Sequence, residues 1–374
     1  MSVWAPAGLR YQWTAGSGPW ASARTAWAGA PGRTYAHTVI TGAQRPFSLS
    51  YQGFPEGLTY VLPHVREQQA ALCEGSDRRD EEPVRWSSIA REARAPRSDV
   101  LVVGCSRERA LALPQDRALA LPFRVHAWLE LAAGEGDRFR GVSPNERRQF
   151  AKLRRTHQWT CEEGTGVDDL RFFYERMHLP TMTARHGAET RSTDWAVARR
   201  ALFRHGVLLY VTEHGKRVAG VLCRHEDGGT TLRMRLLGVL DGNETHYRSG
   251  AVKAVYYLTM EWAARHGVRQ IDLSGADPFP GRGVFQFKRR LRPTVRHPQD
   301  HHRDRRVYLR IGRDTPAVRD FLVATPMYTV DAAGRIVATH FHDADRPPRH
   351  DIRADCPGVH ESRTLDLDTF LRSR

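Results

Sequence analysis

Apolar runs and helical stripes alternate along most of the chain and predict its elements. Asp99-Val-Leu-Val-Val-Gly104 is a continuous apolar run of the length of a buried strand. Leu58-Thr-Tyr-Val-Leu62 also reads as a strand, followed by a helical pattern through Ala70 and Leu72. Residues 119–131 carry further apolar pattern. Leu170, Phe173, Tyr174 and Met177 fall at helical spacing and predict a helix after Asp168 that stops at Pro180. Another helix is expected over 193–205. Segments 207–213 and 217–225 flank His214-Gly215-Lys216 and read as a hairpin, with a third strand over 230–240. Val252, Val255, Tyr256, Thr259, Trp262 and Ala263 make the buried face of a long helix over 250–266, which Gly267 ends. A strand over 269–274, a short helix over 284–290 and a hairpin around Ala332-Ala333-Gly334 complete the pattern.

Stretches without period mark the joints. Residues 1–35, rich in Ala, Gly, Pro and Trp, are expected to form an irregular arm. A charged loop is expected over 75–83, and the Gly-rich stretch 133–141 places a boundary near Gly141. Ser143-Pro144-Asn145-Glu146 then opens a helix: serine caps, proline suits the first turn, and glutamate completes a capping box. That helix carries Arg147, Arg148, Lys152, Arg154 and Arg155, with Phe150 and Leu153 facing a core. The expected segments are 1–35, 36–141, 142–310 and a C-terminal hairpin and tail over 311–374. The element order implies an α/β fold, a mixed sheet flanked by helices.

At 374 residues and 40% hydrophobic content, the chain suffices for two ordinary domains and excludes global disorder. No apolar run approaches the roughly 18 residues of a membrane span, and the first residues lack the pattern of a signal peptide. Cys73, Cys105, Cys161, Cys223 and Cys356 lie far apart without a C-x-x-C, so neither a disulfide framework nor a cysteine metal site is indicated, and a cytoplasmic location is expected. Charge changes the picture most: 57 Lys+Arg against 42 Asp+Glu give +15. Such a field favours polyanions such as tRNA, CoA or nucleotide-linked substrates. An arginine-rich genome is the other source of basic residues, since Lys152, Lys216, Lys253 and Lys288 are the only lysines.

The order of local sequences from Glu146 onward resembles the GNAT acyltransferase superfamily, and within it the FemAB-like branch. The matching pieces are Glu146-Arg-Arg-Gln-Phe-Ala-Lys-Leu-Arg-Arg155, the helix 168–178, Leu179-Pro-Thr-Met-Thr-Ala-Arg-His-Gly187, Leu236-Leu-Gly238, Tyr247-Arg-Ser-Gly-Ala-Val-Lys-Ala-Val-Tyr-Tyr257, Ile271-Asp-Leu-Ser-Gly275 and Gly283-Val-Phe-Gln-Phe-Lys-Arg-Arg290. They cover about 143–293. The resemblance implies tandem GNAT-like domains with the first degenerate. It also implies transfer of an aminoacyl group from aminoacyl-tRNA, or of an acyl group from CoA, to an amine.

Both donors carry an activated acyl group, so the chemistry needs a deprotonated amine, close approach and a stabilised oxyanion. Lys288 is the first candidate. It resembles the lysine that Fem-type transferases place beside the transferred ester, and its compact ammonium is not replaced by guanidinium. A solvated lysine beside Arg289 and Arg290 is the alternative. The resemblance makes Arg248, Ser249, Gly250 and Ala251 a donor phosphate loop, with amides at a helix N-terminus, and Phe287 part of the donor site. Arg248-Ser-Gly has one residue fewer than the usual spacing, and Gly250 also reads as a plain helix-start glycine. Arg147, Arg148, Lys152, Arg154, Arg155, Arg289 and Arg290 are candidate tRNA phosphate contacts, or a solvated face. Thr181, Arg185 and Tyr256 are candidates for the acceptor pocket. His186 is a candidate acceptor of the amine proton, or a capping residue, and Asp272 a candidate to orient a cation. No metal or resident cofactor is expected. His297, His301 and His302 lie among arginines, and His340, His342, Asp343 and Asp345 lack a catalytic metal spacing.

The reading is an acyltransferase that joins an aminoacyl group to an amine of a small molecule or peptide, with aminoacyl-tRNA the favoured donor. An acyl-CoA-dependent N-acyltransferase is the second reading, and a non-catalytic RNA-binding protein the third.

Overall fold

The computed structural model describes residues 5–372 apart from 31, 46, 132–138, 140 and 187–191. Most of the Gly-rich boundary stretch, and Gly187, lie outside the described residues. The chain forms two compact units that interleave along the sequence. The first comprises Met1–Trp13, Ala127–Ser274 and Lys288–Pro293; the second comprises Thr14–His126, Gly275–Phe287 and Thr294–Arg374. Both are mixed α/β.

In the first unit the strands run Val125–Glu130, Gln270–Ala276, Thr231–Val239, Lys216–Glu226, Gly206–Glu213, Thr160–Gly164. The last four form an antiparallel meander, whereas Thr231–Val239 and Gln270–Ala276 are parallel. The hairpin turns through His214 and Gly215, both at positive φ, the geometry a two-residue β-turn demands. The helix Ala251–Arg265 buries Ala254, Val255, Tyr257, Leu258 and Met260, nearly its whole circumference, while Val252 is only half-buried. It therefore sits as an internal layer rather than as the one-sided helix its spacing implies.

The helix after Asp168 does not stop at Pro180. Val167–Phe173 passes into a π-helical turn, Tyr174–His178, and then Leu179–His186. Proline breaks a helix by removing a donor; here it follows the π turn, where the Leu179 amide donates five residues back to the Tyr174 carbonyl and the ladder is already shifted. The 193–205 stretch is likewise broken, into Trp195–Val197, a π turn and a 3-10 turn.

The second unit carries the sheet Ser76–Arg85, Thr34–Gly42, Ser48–Gly53, Val100–Ser106, Arg305–Ile311, Ala118–Pro122, and a smaller one of Met327–Val330, Ile336–His342 and Glu361–Asp366. Val100–Ser106 is the buried strand its apolar run predicts. The charged loop expected at 75–83 is instead an edge strand, Ser76–Arg85, whose exposed charges discourage pairing with other chains. Leu58–Leu62 is not a strand: Gly57–Tyr60 is a short helix, and Pro63 enters the first turn of Leu62–Cys73. The expected C-terminal tail ends in a strand and the helix Leu367–Arg372, anchored by buried Leu367 and Leu371. The expected irregular arm holds the helices Ala7–Ala15 and Pro19–Gly29. Its start belongs to the first unit: the Tyr11 hydroxyl donates to Glu226 at 2.6 Å, and Arg10 pairs with Asp194 at 2.9 Å.

Candidate functional site

The site of interest lies where two parallel strands part. Thr231–Val239 and Gln270–Ala276 pair only at Thr231/Gln270, Leu232/Ile271 and Arg233/Asp272. On the other side of Thr231–Val239, the register against Lys216–Glu226 shifts between Met234 and Leu236. Ser274 takes φ 64°, a left-handed conformation that costs an L residue on the order of 1 kcal/mol. Its amide donates to Asp272 Oδ1 at 2.8 Å, and its hydroxyl donates to the Met234 carbonyl, a side-chain bond that spans the two strands where their backbone pairing has stopped.

Lys288 closes this arrangement. It is 4% exposed, and its ammonium donates to the carbonyls of Leu273 at 2.7 Å and Ser274 at 3.1 Å. A positive charge is thus fixed on the strand end at which pairing stops. The reading of Lys288 as a solvated lysine on a basic helix does not fit this burial. Asp272 is fully buried and accepts from Arg233 Nε at 2.9 Å, while Arg233 also lies 3.8 Å from Glu226. The cation Asp272 orients is therefore Arg233, and the pair positions the strands.

The basic helix, Pro144–His157, starts as expected at its cap: Ser143 Oγ accepts from the Glu146 amide at 3.2 Å. Glu146 does not complete the capping box. Its buried carboxylate accepts from Lys253 at 2.7 Å and lies 3.7 Å from Arg290. Arg154 is spent on Glu261 at 2.8 Å, and Arg147 is half-buried. Arg148, Lys152 and Arg155 stand exposed at i, i+4 and i+7, one stripe along the helix. The sequence separates neither group, because all five residues carry the same charge.

Gly250 has φ 93° and joins Glu244–Ser249 to Ala251–Arg265, serving as N-cap of the long helix with no capping side chain. A Cβ there would lie 3.4 Å from Trp159 and 3.5 Å from Leu153, so the turn packs against the basic helix and its end. Arg248 points to solvent beside Glu244 at 3.6 Å, and Ser249 donates back to the His246 carbonyl. Ala251 is buried, and Phe287 and Arg289 are half-buried.

Of the acceptor candidates, Arg185 lies over the Tyr247 ring at 4.0 Å, and the His186 side chain lies outside what the structure describes. Tyr256 is buried, which pushes its hydroxyl up to about 12 against the lowering field of Arg185. Thr181 does not line a pocket. It is fully buried, and its hydroxyl accepts from the Val239 amide at 2.9 Å and donates to the Val239 carbonyl at 3.3 Å. His178, which spacing alone does not single out, closes the π turn: one ring nitrogen meets the Leu237 carbonyl at 3.0 Å and the other Ser192 at 2.7 Å, and burial lowers its pKa.

Residues 140–289 match the family described as acetyltransferase (GNAT) domain. No curated protein matches the chain. Among solved structures, L-PGS from Bacillus licheniformis is 11% identical over 84% of this chain and 94% of its own, with a TM-score of 0.37. FemX is 12% identical over 76% and 86%, with a TM-score of 0.39. The C-terminal domain of a putative lysylphosphatidylglycerol synthetase from Agrobacterium fabrum is 13% identical over 85% and 95%, with a TM-score of 0.36. No helix among the described residues is long and apolar enough to cross a membrane.

Proposed function

We propose, from the match of residues 140–289 to the acetyltransferase (GNAT) family, that this chain is an acyltransferase that forms amides by transferring an aminoacyl group from aminoacyl-tRNA to an amine of a small molecule or peptide. The observation that carries the reading is the parted strand pair with the Lys288 ammonium fixed at its opening. The acyl carbonyl of the donor lies in that opening. The amine nitrogen attacks the carbonyl carbon, and negative charge grows on its oxygen where the lysine charge stabilises it. The carbon–oxygen ester bond then breaks, and the ribose hydroxyl of tRNA leaves with a proton. That proton is the surplus one the amine gives up, relayed to the departing oxygen by His186 or by water. Asp272 and Arg233 act as positioning residues for the strands.

Two features support tRNA over CoA as the donor. Arg148, Lys152 and Arg155 form an exposed cationic stripe suited to a phosphate backbone. Arg248, the cation of the phosphate loop, faces solvent beside Glu244. The single experiment is amide formation by the purified chain with charged tRNA or acyl-CoA as donor and a panel of amines. Turnover with charged tRNA that RNase abolishes is the expected result. Turnover with acyl-CoA that RNase leaves intact transfers the assignment to a CoA-dependent enzyme. Tight tRNA binding with turnover from neither donor transfers it to a non-catalytic RNA-binding protein.

A further inference from the structure

We propose that the second unit binds a transition-metal ion of the zinc class through Asp300, His301 and His302. These residues lie in the loop between the strands Thr294–Arg296 and Arg305–Ile311. One ligand atom of each comes within 4.8 Å of the others. The side chains are buried, at 7%, 2% and 6% exposure. Among the described residues, neither ring nitrogen of His301 has a hydrogen-bond partner, and Nδ1 of His302 has none. Buried polar atoms are normally satisfied, and an imidazole with both nitrogens unpaired carries an uncompensated desolvation cost. Coordination turns such a lone pair into a bond.

The surroundings hold the donors in place without using those nitrogens. The His302 ring stacks on Phe123 at 5.3 Å and 5°, and meets Tyr60 edge-on at 5.8 Å. Asp300 Oδ1 accepts from the His302 amide at 2.9 Å, which fixes the carboxylate's rotation. Burial, reinforced by nearby arginines, keeps both imidazoles neutral, the form that ligates. A tetrahedral site with bonds of about 2.0 Å needs ligand atoms roughly 3.3 Å apart, a contraction within reach of small side-chain rotations.

The arginines around the loop decide between a cation and an anion less simply than their number implies. Arg24 and Arg305 both bind Glu56 Oε1, at 2.7 and 3.1 Å, and Arg124 lies over the Tyr60 ring at 3.9 Å. Glu56 and Asp300 offset much of that charge. Space is the stronger discriminator. The unpaired nitrogens are cut off from solvent, so a phosphate or sulfate reaches them only by displacing the side chains around them, whereas a metal ion bonds to imidazole nitrogen directly at about 2.0 Å. Imidazole with carboxylate suits zinc and its neighbours rather than magnesium or calcium.

The full chain, purified without added histidines, is expected to carry about one zinc per chain by elemental analysis. A strong chelator should remove it and lower Tm, and Zn2+ added back should restore Tm in a concentration-dependent manner. Co2+ in its place should give a visible d–d spectrum. His301→Ala and His302→Ala should lose the ion, while His340→Ala keeps it. If the alanine variants do not fold, the zinc titration and cobalt spectrum of the wild-type chain decide alone. A chelated chain whose Tm ignores Zn2+ overturns the proposal, as does zinc retained undiminished by His301→Ala. Stabilisation by inorganic phosphate and not by Zn2+ also overturns it, in favour of an anion site.

Discussion

At the scale of single residues, the structure gives Lys288 a double task. Its ammonium ties off the carbonyls of Leu273 and Ser274 and keeps a positive charge at the strand opening. Lys288→Met is therefore expected to slow single turnover by about 10²–10³ through loss of oxyanion stabilisation. It should also cost about 1–3 kcal/mol of stability, because buried carbonyls lose their donor. Single-turnover kinetics below the lowered Tm separate the two effects, and an unchanged rate removes Lys288 from the chemistry. His64 tests acid stability in the second unit. It packs on Phe279 at 4.7 Å, and burial, with Arg282, pushes its pKa down to about 3. Glu67 lies 3.9 Å away but is too exposed to reverse this. A histidine with a depressed folded pKa destabilises as pH falls below its unfolded value of 6.5, since only the unfolded chain takes up the proton. Between pH 7 and pH 5 the wild type should lose about 2 kcal/mol more than His64→Gln, as read by denaturant unfolding. The sequence singles out Lys288 because lysine is rare in this chain, but not its burial against the carbonyls of Leu273 and Ser274. The place of Thr181 was not legible, because its side chain is consumed by a strand end that only the fold brings near.

At the scale of elements, the basic helix shows what charge counting leaves out. Arg154 is an internal strut to Glu261, and Arg148, Lys152 and Arg155 form the exposed face. Replacing Arg148, Lys152 and Arg155 together by glutamate should weaken tRNA binding and flatten its dependence of log K on log salt by about 0.7–0.9 per lost phosphate contact, with Tm nearly unchanged. Arg154→Glu should instead lower Tm, by placing like charges together beside Ala251–Arg265. Filter binding across a salt series, with a melt of each variant, checks both, and equal effects from the two variants would undo the division. The helices, hairpin and strands between 144 and 289 were readable because their periods are regular and their caps and turns local. The π turn at Tyr174–His178 was not, since it arises from packing against Thr231–Val239, and Pro180 then read as a stop. Ser76–Arg85 read as a loop because its composition is that of a solvated edge.

At the scale of the whole molecule, the α/β class was legible, and the division of the chain was not. Local patterns identify consecutive segments, whereas the two units exchange segments near residues 13, 127, 274, 287 and 293. The expected cuts at 141 and 310 have no counterpart in that exchange. The sheet of the second unit makes the point sharply: Arg305–Ile311, buried along its length, lies between Val100–Ser106 and Ala118–Pro122. Pairing so distant in sequence leaves no trace in any window of local period. This interleaving orders events during synthesis. Most of the second unit's chain emerges from the ribosome before the first unit's central strands, yet its sheet waits for its penultimate strand until residue 311 is made. The first unit, begun later in all but its opening helix, has its last segment by residue 293. The nascent chain therefore holds the sheet of Thr34–Gly42, Ser48–Gly53 and Val100–Ser106 with the far edge of Val100–Ser106 unpaired for the whole time residues 140–289 are being translated, and the charged edge at Ser76–Arg85 guards the other flank of that half-built sheet meanwhile.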